Sequence, residues 1–138
     1  MRQAIHSVRL NTRRAGLLDI TGTILQWVAA QQIGTGLLTV FCRHTSASLL
    51  IQENADPDVQ SDLLAFFGKI APERAGYRHE AEGADDMPAH IRTALTQTHL
   101  AIPVEQGRPV LGTWQGIYLF EHRAGPHERV IVLHLIGD

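Results

Sequence analysis

Apolar residues follow the period of a strand along most of this chain and the period of a helix in only three places. In "QAIHSVRLNTR", Ile5, Val8 and Leu10 read as a strand with a polar face. "LLTVFCRH" places Leu38, Val40, Cys42 and His44 on one face, with Leu37, Thr39, Phe41 and Arg43 on the other. Leu49, Leu50 and Ile51 continue as a buried run. "AIPVEQGRPVLGTWQGIYLFEHR" reads as two strands around a turn at Gln106-Gly107, and "ERVIVLHLIG" as a last strand. The first helix follows a cap at Asp19 or Thr21, carries Ile20, Ile24, Trp27 and Val28 at helical spacing, and stops at "GTG". The second is the clearest: Asp56 caps it, Pro57 fits its first turn, and Pro72 ends it. The third, "MPAHIRTALTQTHL", takes Asp86 as its cap. Helices inserted this irregularly among strands do not make the regular strand–helix–strand alternation of a parallel sheet. They predict an α+β fold with a mostly antiparallel sheet and about three helices.

The 138 residues fit one domain, 1–138, with enough chain to bury a core unaided by disulfides. A net charge of −2 gives no electrostatic footprint for nucleic acid or an anionic membrane. The lone Cys42 excludes an internal disulfide and fits a reducing compartment. With no signal-peptide pattern and no membrane-length apolar run, a cytoplasmic protein is expected.

Chemistry-bearing residues concentrate in three places. "CRHTSASLLIQENADP" opens on His44 and closes on Glu53 and Asn54. Nine residues apart, His44 and Glu53 fall on opposite faces of an unbroken strand; they share a site only if "TSAS" bends the chain. His44 reads equally as a strand-end core histidine or as a metal ligand. Glu53 has no local capping role and reads as a ligand, a histidine's partner or a general base. The polar stretch 73–86 carries five carboxylates, Tyr77 and His79, and a connection of that length is often functional. His79 and His90 are spaced too loosely for a compact metal motif, so they are either exposed or joined across a pocket. "GTWQGIYLFEHR" puts Trp114, Tyr118 and Phe120 on one face, to line a flat pocket or fill a core or interface. Arg43, Arg78 and Arg92 are candidates for holding an anionic group. Phosphate-loop, dinucleotide-binding and nucleophile-elbow motifs are absent from the sequence.

"HTSASLLIQENADP", "YRHEAEGADDMPAHI" and "IPVEQGRPVLGTWQGIYLFEHR", in that order, resemble the YjbQ family over nearly the whole chain. Some members of that family are described as secondary thiamine-phosphate synthases. The resemblance implies a sandwich-like antiparallel sheet, a homotrimer, and a histidine-rich pocket near the subunit boundary. Carried over by motif, it implies His44, His79 and His90 as ligands of a divalent metal, zinc or magnesium. Glu53, Trp114 and Gln115 become the catalytic group, and Thr45 and Asn54 contacts to a small phosphorylated substrate, to which Arg43 and Arg78 are added by residue type as partners for its anionic group. The implied reaction joins a pyrimidine diphosphate to a thiazole phosphate. The alternative is a metal- or anion-binding trimer, or a metal-dependent hydrolase, with only incidental activity of this kind.

Overall fold

A computed structural model describes residues 1–138. Eight strands form two antiparallel sheets: β1 (Arg2–Thr12), β2 (Gly16–Asp19), β3 (Gly36–Cys42), β4 (Ala47–Glu53), β5 (His99–Glu105), β6 (Arg108–Pro109), β7 (Gln115–Glu121) and β8 (His127–Gly137). The larger sheet has the order β1-β8-β3-β5-β6 and the smaller β2-β7-β4. Three helices, α1 (Thr21–Gln31), α2 (Pro57–Ile70) and α3 (Asp86–Leu95), complete the α+β fold. None is long and apolar enough to cross a membrane.

Strand alternation builds the core. Leu38, Val40 and Cys42 of β3, Leu100, Ile102 and Val104 of β5, and Ile131, Leu133 and Leu135 of β8 share one face of the large sheet. They pack with Ala47 and Leu49 of β4, Ile117 and Leu119 of β7, and Ile24 and Val28 of α1. Each such side chain, fully buried, contributes roughly 1.5–3 kcal/mol of transfer free energy. β7 is covered on both faces, because Phe67 of α2 meets Phe120 edge-on at 5.5 Å between ring centres.

Local chemistry sets the ends of the elements, not always as the sequence suggests. Asp56 does cap α2, accepting from the Asp58 N–H at 2.9 Å. α1 stops earlier than its glycines: Gln32 takes the left-handed conformation, and Gly36 already belongs to β3. At Gly36 and Gly137, which face each other across β3 and β8, an added Cβ would overlap the neighbouring backbone. The turn at Gln106-Gly107 has positive φ at both residues, as a tight hairpin requires. Its second arm is only β6, after which the chain crosses to the smaller sheet as β7. α3 ends at Leu95 rather than running on toward Leu100, because His99 and Leu100 pair with β3. β2, four residues long, was not separable from the helix that follows it by periodicity.

Two buried polar arrangements are fixed by the end of β7. Glu121 points between the sheets, where Arg129 donates to it through Nε at 2.8 Å and Thr12 donates through its hydroxyl. Burial alone would raise the Glu121 carboxyl, but these donors hold it below its ordinary range. The next residue, His122, lies beneath α3, with Nε2 at 2.9 Å from Ser48 Oγ, and Ser48 also accepts from Thr96 of the α3 cap.

Replacing Glu121 by Ala leaves the Arg129 charge buried and unpaired, which costs about 3–5 kcal/mol; chemical denaturation should show a correspondingly lower midpoint with an unchanged slope. His122 is lowered to about 3, first by burial and then by the nearby Arg92 charge. The unfolded chain therefore binds a proton near pH 6.5 that the folded chain refuses, so stability falls as pH drops from about 6.5 toward 3. His122→Phe should remove up to about 1.4 kcal/mol per pH unit from that slope between pH 6 and 5, measured by urea denaturation.

Candidate metal centre

Asp86, the first residue of α3, is the hub of the site. Its spacing from His90 places both on one helix face, since residues four apart are neighbours there. The connection 71–85 returns His79 over the same point. His79 Nε2 lies 2.6 Å and His90 Nε2 3.2 Å from Asp86 Oδ2. The other oxygen, Oδ1, accepts from Arg123 Nη1 at 2.8 Å. Arg123 also donates through Nε to Asp85 and through Nη2 to the Glu82 carbonyl, so one guanidinium ties the end of β7 to the loop and the helix start. Asp86 is buried whereas His79 and His90 are partly open to solvent, with side chains 45% and 30% exposed. Burial would raise the Asp86 carboxyl; the His79 hydrogen bond and the Arg123 charge outweigh it and hold the group below the ordinary carboxylate range.

The tautomer of His90 follows from its surroundings. His90 Nδ1 lies 2.8 Å from the Thr45 carbonyl, which can only accept, so Nδ1 carries the proton. In a neutral ring, Nε2 then holds a lone pair aimed at a carboxylate oxygen. Two acceptors face each other, and either a second proton or a cation must lie between them. The donor atoms of His79, Asp86 and His90 all lie within 4.8 Å of one another, close enough to ligate one ion. Two imidazole nitrogens and one carboxylate oxygen suit zinc or a similar transition ion; magnesium prefers an all-oxygen shell.

The structure redistributes the residues singled out from sequence. His79 and His90 meet, but His44 stands outside the cluster. Its Nε2 accepts the Val130 N–H at 2.8 Å, which consumes the lone pair and puts the ring proton on Nδ1. The chain does break at "TSAS", since β3 ends at Cys42 and β4 begins at Ala47 in the other sheet. Glu53 nevertheless does not reach His44: it closes the far end of β4, about 20 Å from Ala47 at strand rise. There it pairs with Gln115, and its carboxylate accepts the Asp56 N–H. Asn54 accompanies it, bonded to the backbone around Trp114, and Trp114 is 64% exposed. Tyr118 and Phe120 are core rather than pocket wall. Arg43 and Thr45 line a groove with His44, whereas Arg78 makes no side-chain bond. Arg92 donates to the Ala71 carbonyl, joining α3 to the end of α2. The Cys42 thiol is pushed up to about 11 by burial, so it is no nucleophile at neutral pH.

Asp86 and Arg123 escaped the sequence reading. Asp86 looked like a helix cap, yet Asp85 flanks the helix and Asp86 lies within it. The Asp86-x3-His90 spacing was the available signal. Arg123 carried none, because its partners lie nearly forty residues upstream.

A family model described as UPF0047 protein YjbQ-like matches residues 6–138. A UPF0047 protein of Synechocystis sp. is 53% identical over 128 residues, covering 92% of this chain and 87% of that protein. The UPF0047 protein YjbQ of Escherichia coli O157:H7 is 41% identical, covering 96% of each. Among solved structures, an uncharacterised YjbQ/UPF0047 protein of Clostridium acetobutylicum superposes with a TM-score of 0.85 at 36% identity, over 96% of this chain and 99% of that one. A YbjQ-like protein of unknown function from Sulfolobus solfataricus, 24% identical, shares the fold with a TM-score of 0.87 over 99% of this chain and 100% of that one. With matches that span nearly its whole length, the chain belongs to the UPF0047 YjbQ-like protein family.

Proposed function

We propose that this protein is a metal-dependent transferase for a small phosphorylated substrate, with thiamine-phosphate synthase-like chemistry. The observation that carries the metal is the pair of facing acceptors, His90 Nε2 and Asp86 Oδ2, with His79 Nε2 beside them. The transferase class rests on the resemblance of the sequence motifs. In such a reaction the thiazole ring nitrogen forms a carbon–nitrogen bond to the methylene carbon on the pyrimidine, the carbon–oxygen bond from that carbon to the diphosphate breaks, and pyrophosphate leaves with the electron pair. A bound divalent ion would supply positive charge to the departing diphosphate oxygens. The chain's own part is positional. Asp86, His79 and His90 would hold the ion, while Arg123 fixes the Asp86 carboxylate and the Thr45 carbonyl orients His90.

The proposed assembly is a homotrimer with this centre near a subunit boundary. Ile5, Leu37 and Phe41 are exposed on the outer face of the large sheet, beside half-buried Val132 and Ile136. An apolar sheet face of this kind fits a subunit contact. Phe41 also lines the groove that holds His44, which brings that face to the margin of the site. Glu53, Asn54, Trp114 and Gln115 gather at the end of β4 opposite the Thr45 turn that bonds His90, so a role for them in this chemistry would call for the centre of a neighbouring copy.

Zinc-loaded protein should carry about one ion per chain by elemental analysis, by the tetrahedral three-ligand pattern of catalytic zinc. His79→Ala, Asp86→Ala and His90→Ala should each lose it and should form no thiamine phosphate from the two phosphorylated halves. Wild-type protein that takes up no divalent ion would end the metal reading; ion uptake with no product would end the transferase reading. Arg123→Met, which frees Asp86 from its anchor, should weaken metal affinity about 10–100-fold while leaving the ligands in place.

A further inference from the structure

His44 is unlike the other two histidines of the site. Val130 N–H donates to its Nε2 at 2.8 Å, and a backbone amide offers no alternative polarity. A neutral His44 must therefore carry its proton on Nδ1, and that nitrogen has no partner in the chain. The ring also resists a second proton. Burial lowers it from its ordinary value, the Arg129 charge adds to the effect, and protonation of Nε2 would break the Val130 bond.

The ring lines two adjoining grooves of about 400 and 370 Å³, which share His44, Thr45 and Thr98. One of them includes His90, so it borders the metal centre; the other includes Arg43. No aspartate or glutamate lines either groove. Hydroxyls, an imidazole N–H and a guanidinium dominate the polar lining. A surface rich in donors and free of carboxylates recognises oxygen acceptors, and anionic ones most strongly.

We propose that His44 is a fixed neutral donor, presenting Nδ1–H to an oxyanion of the substrate in the groove beside the centre, and that it is not a metal ligand. The assignment rests on the metal-assisted reading of the site and names what binds next to the ion: a phosphate or diphosphate oxygen. A neutral donor is suited to that place. It orients the anion without the repulsion that an imidazolium would exert on a neighbouring cation.

The test uses the full chain loaded with zinc, with inorganic pyrophosphate as probe. Long-range proton–nitrogen NMR of the wild type should show His44 protonated on Nδ1, and this resonance should shift as pyrophosphate is added. His44→Ala should keep its zinc and bind pyrophosphate about 10–100-fold more weakly, the range for a hydrogen bond to a charged group. His44→Asn, whose amide can place an N–H near the Nδ1 position, should recover much of that loss. An Nε2–H tautomer, loss of zinc from His44→Ala, or unchanged pyrophosphate affinity in that variant would each overturn the assignment. If zinc binds wild type but pyrophosphate does not, the donor role fails and the metal centre stands. If zinc survives in His79→Ala and His90→Ala, it is the metal reading that fails, and the tautomer still decides His44.

Discussion

The register of β7 is the constraint on which the rest of the structure depends. This strand is buried on both faces, and its last residue and the two that follow serve three different places. Glu121 turns between the sheets to Arg129 and Thr12, His122 turns beneath α3 to Ser48, and Arg123 reaches Asp85 and Asp86. A slip of one residue would exchange the faces of the whole strand. It would bring the Glu121 charge under the helices without its arginine and push His122 into the apolar core. Packing of Ile117 and Leu119 on one side and Tyr118 and Phe120 on the other opposes that slip. The hydrophobic pattern that makes the sandwich thus also aims the polar residues that make the site.

Asp86 shows how the fold holds a buried carboxylate in place. A buried carboxylate is costly unless it is paired and hydrogen-bonded. Here its two oxygens have separate duties: Arg123 takes Oδ1, and Oδ2 is left to the imidazoles. Arg123 itself is anchored by Asp85 and by the Glu82 carbonyl, so its position does not depend on the site being filled. His90 is oriented from the other side by Thr45, in the turn between β3 and β4. Three distant stretches of chain meet here, and each is fixed by bonds outside the proposed ligand set. Such supporting contacts usually govern metal affinity as much as ligand identity does.

Much of the frame was legible in the sequence, and the reasons are specific. α2 announces itself through Asp56, Pro57 and Pro72; β8 through its alternating Val, Ile and Leu; the hairpin turn through Gln106-Gly107. β2 was illegible because four residues give no measurable period. The passage of β7 into the other sheet was illegible because strand pairing is a long-range property. The site divided in the same way. His79 and His90 carried a residue-type signal, whereas Asp86 imitated a helix cap and Arg123 had nothing local to mark it. His44 was recognisable as notable, but its role turned on a backbone amide 86 residues away.

The most direct measurement is anomalous diffraction from crystals of the zinc-loaded protein, collected on both sides of the zinc absorption edge. The proposed centre requires one strong peak per chain, about 2.0–2.2 Å from His79 Nε2, His90 Nε2 and an Asp86 oxygen. His44 should remain bonded to the Val130 amide and outside the coordination shell. A peak ligated by His44, or no peak between Asp86 and the two imidazoles, would contradict it.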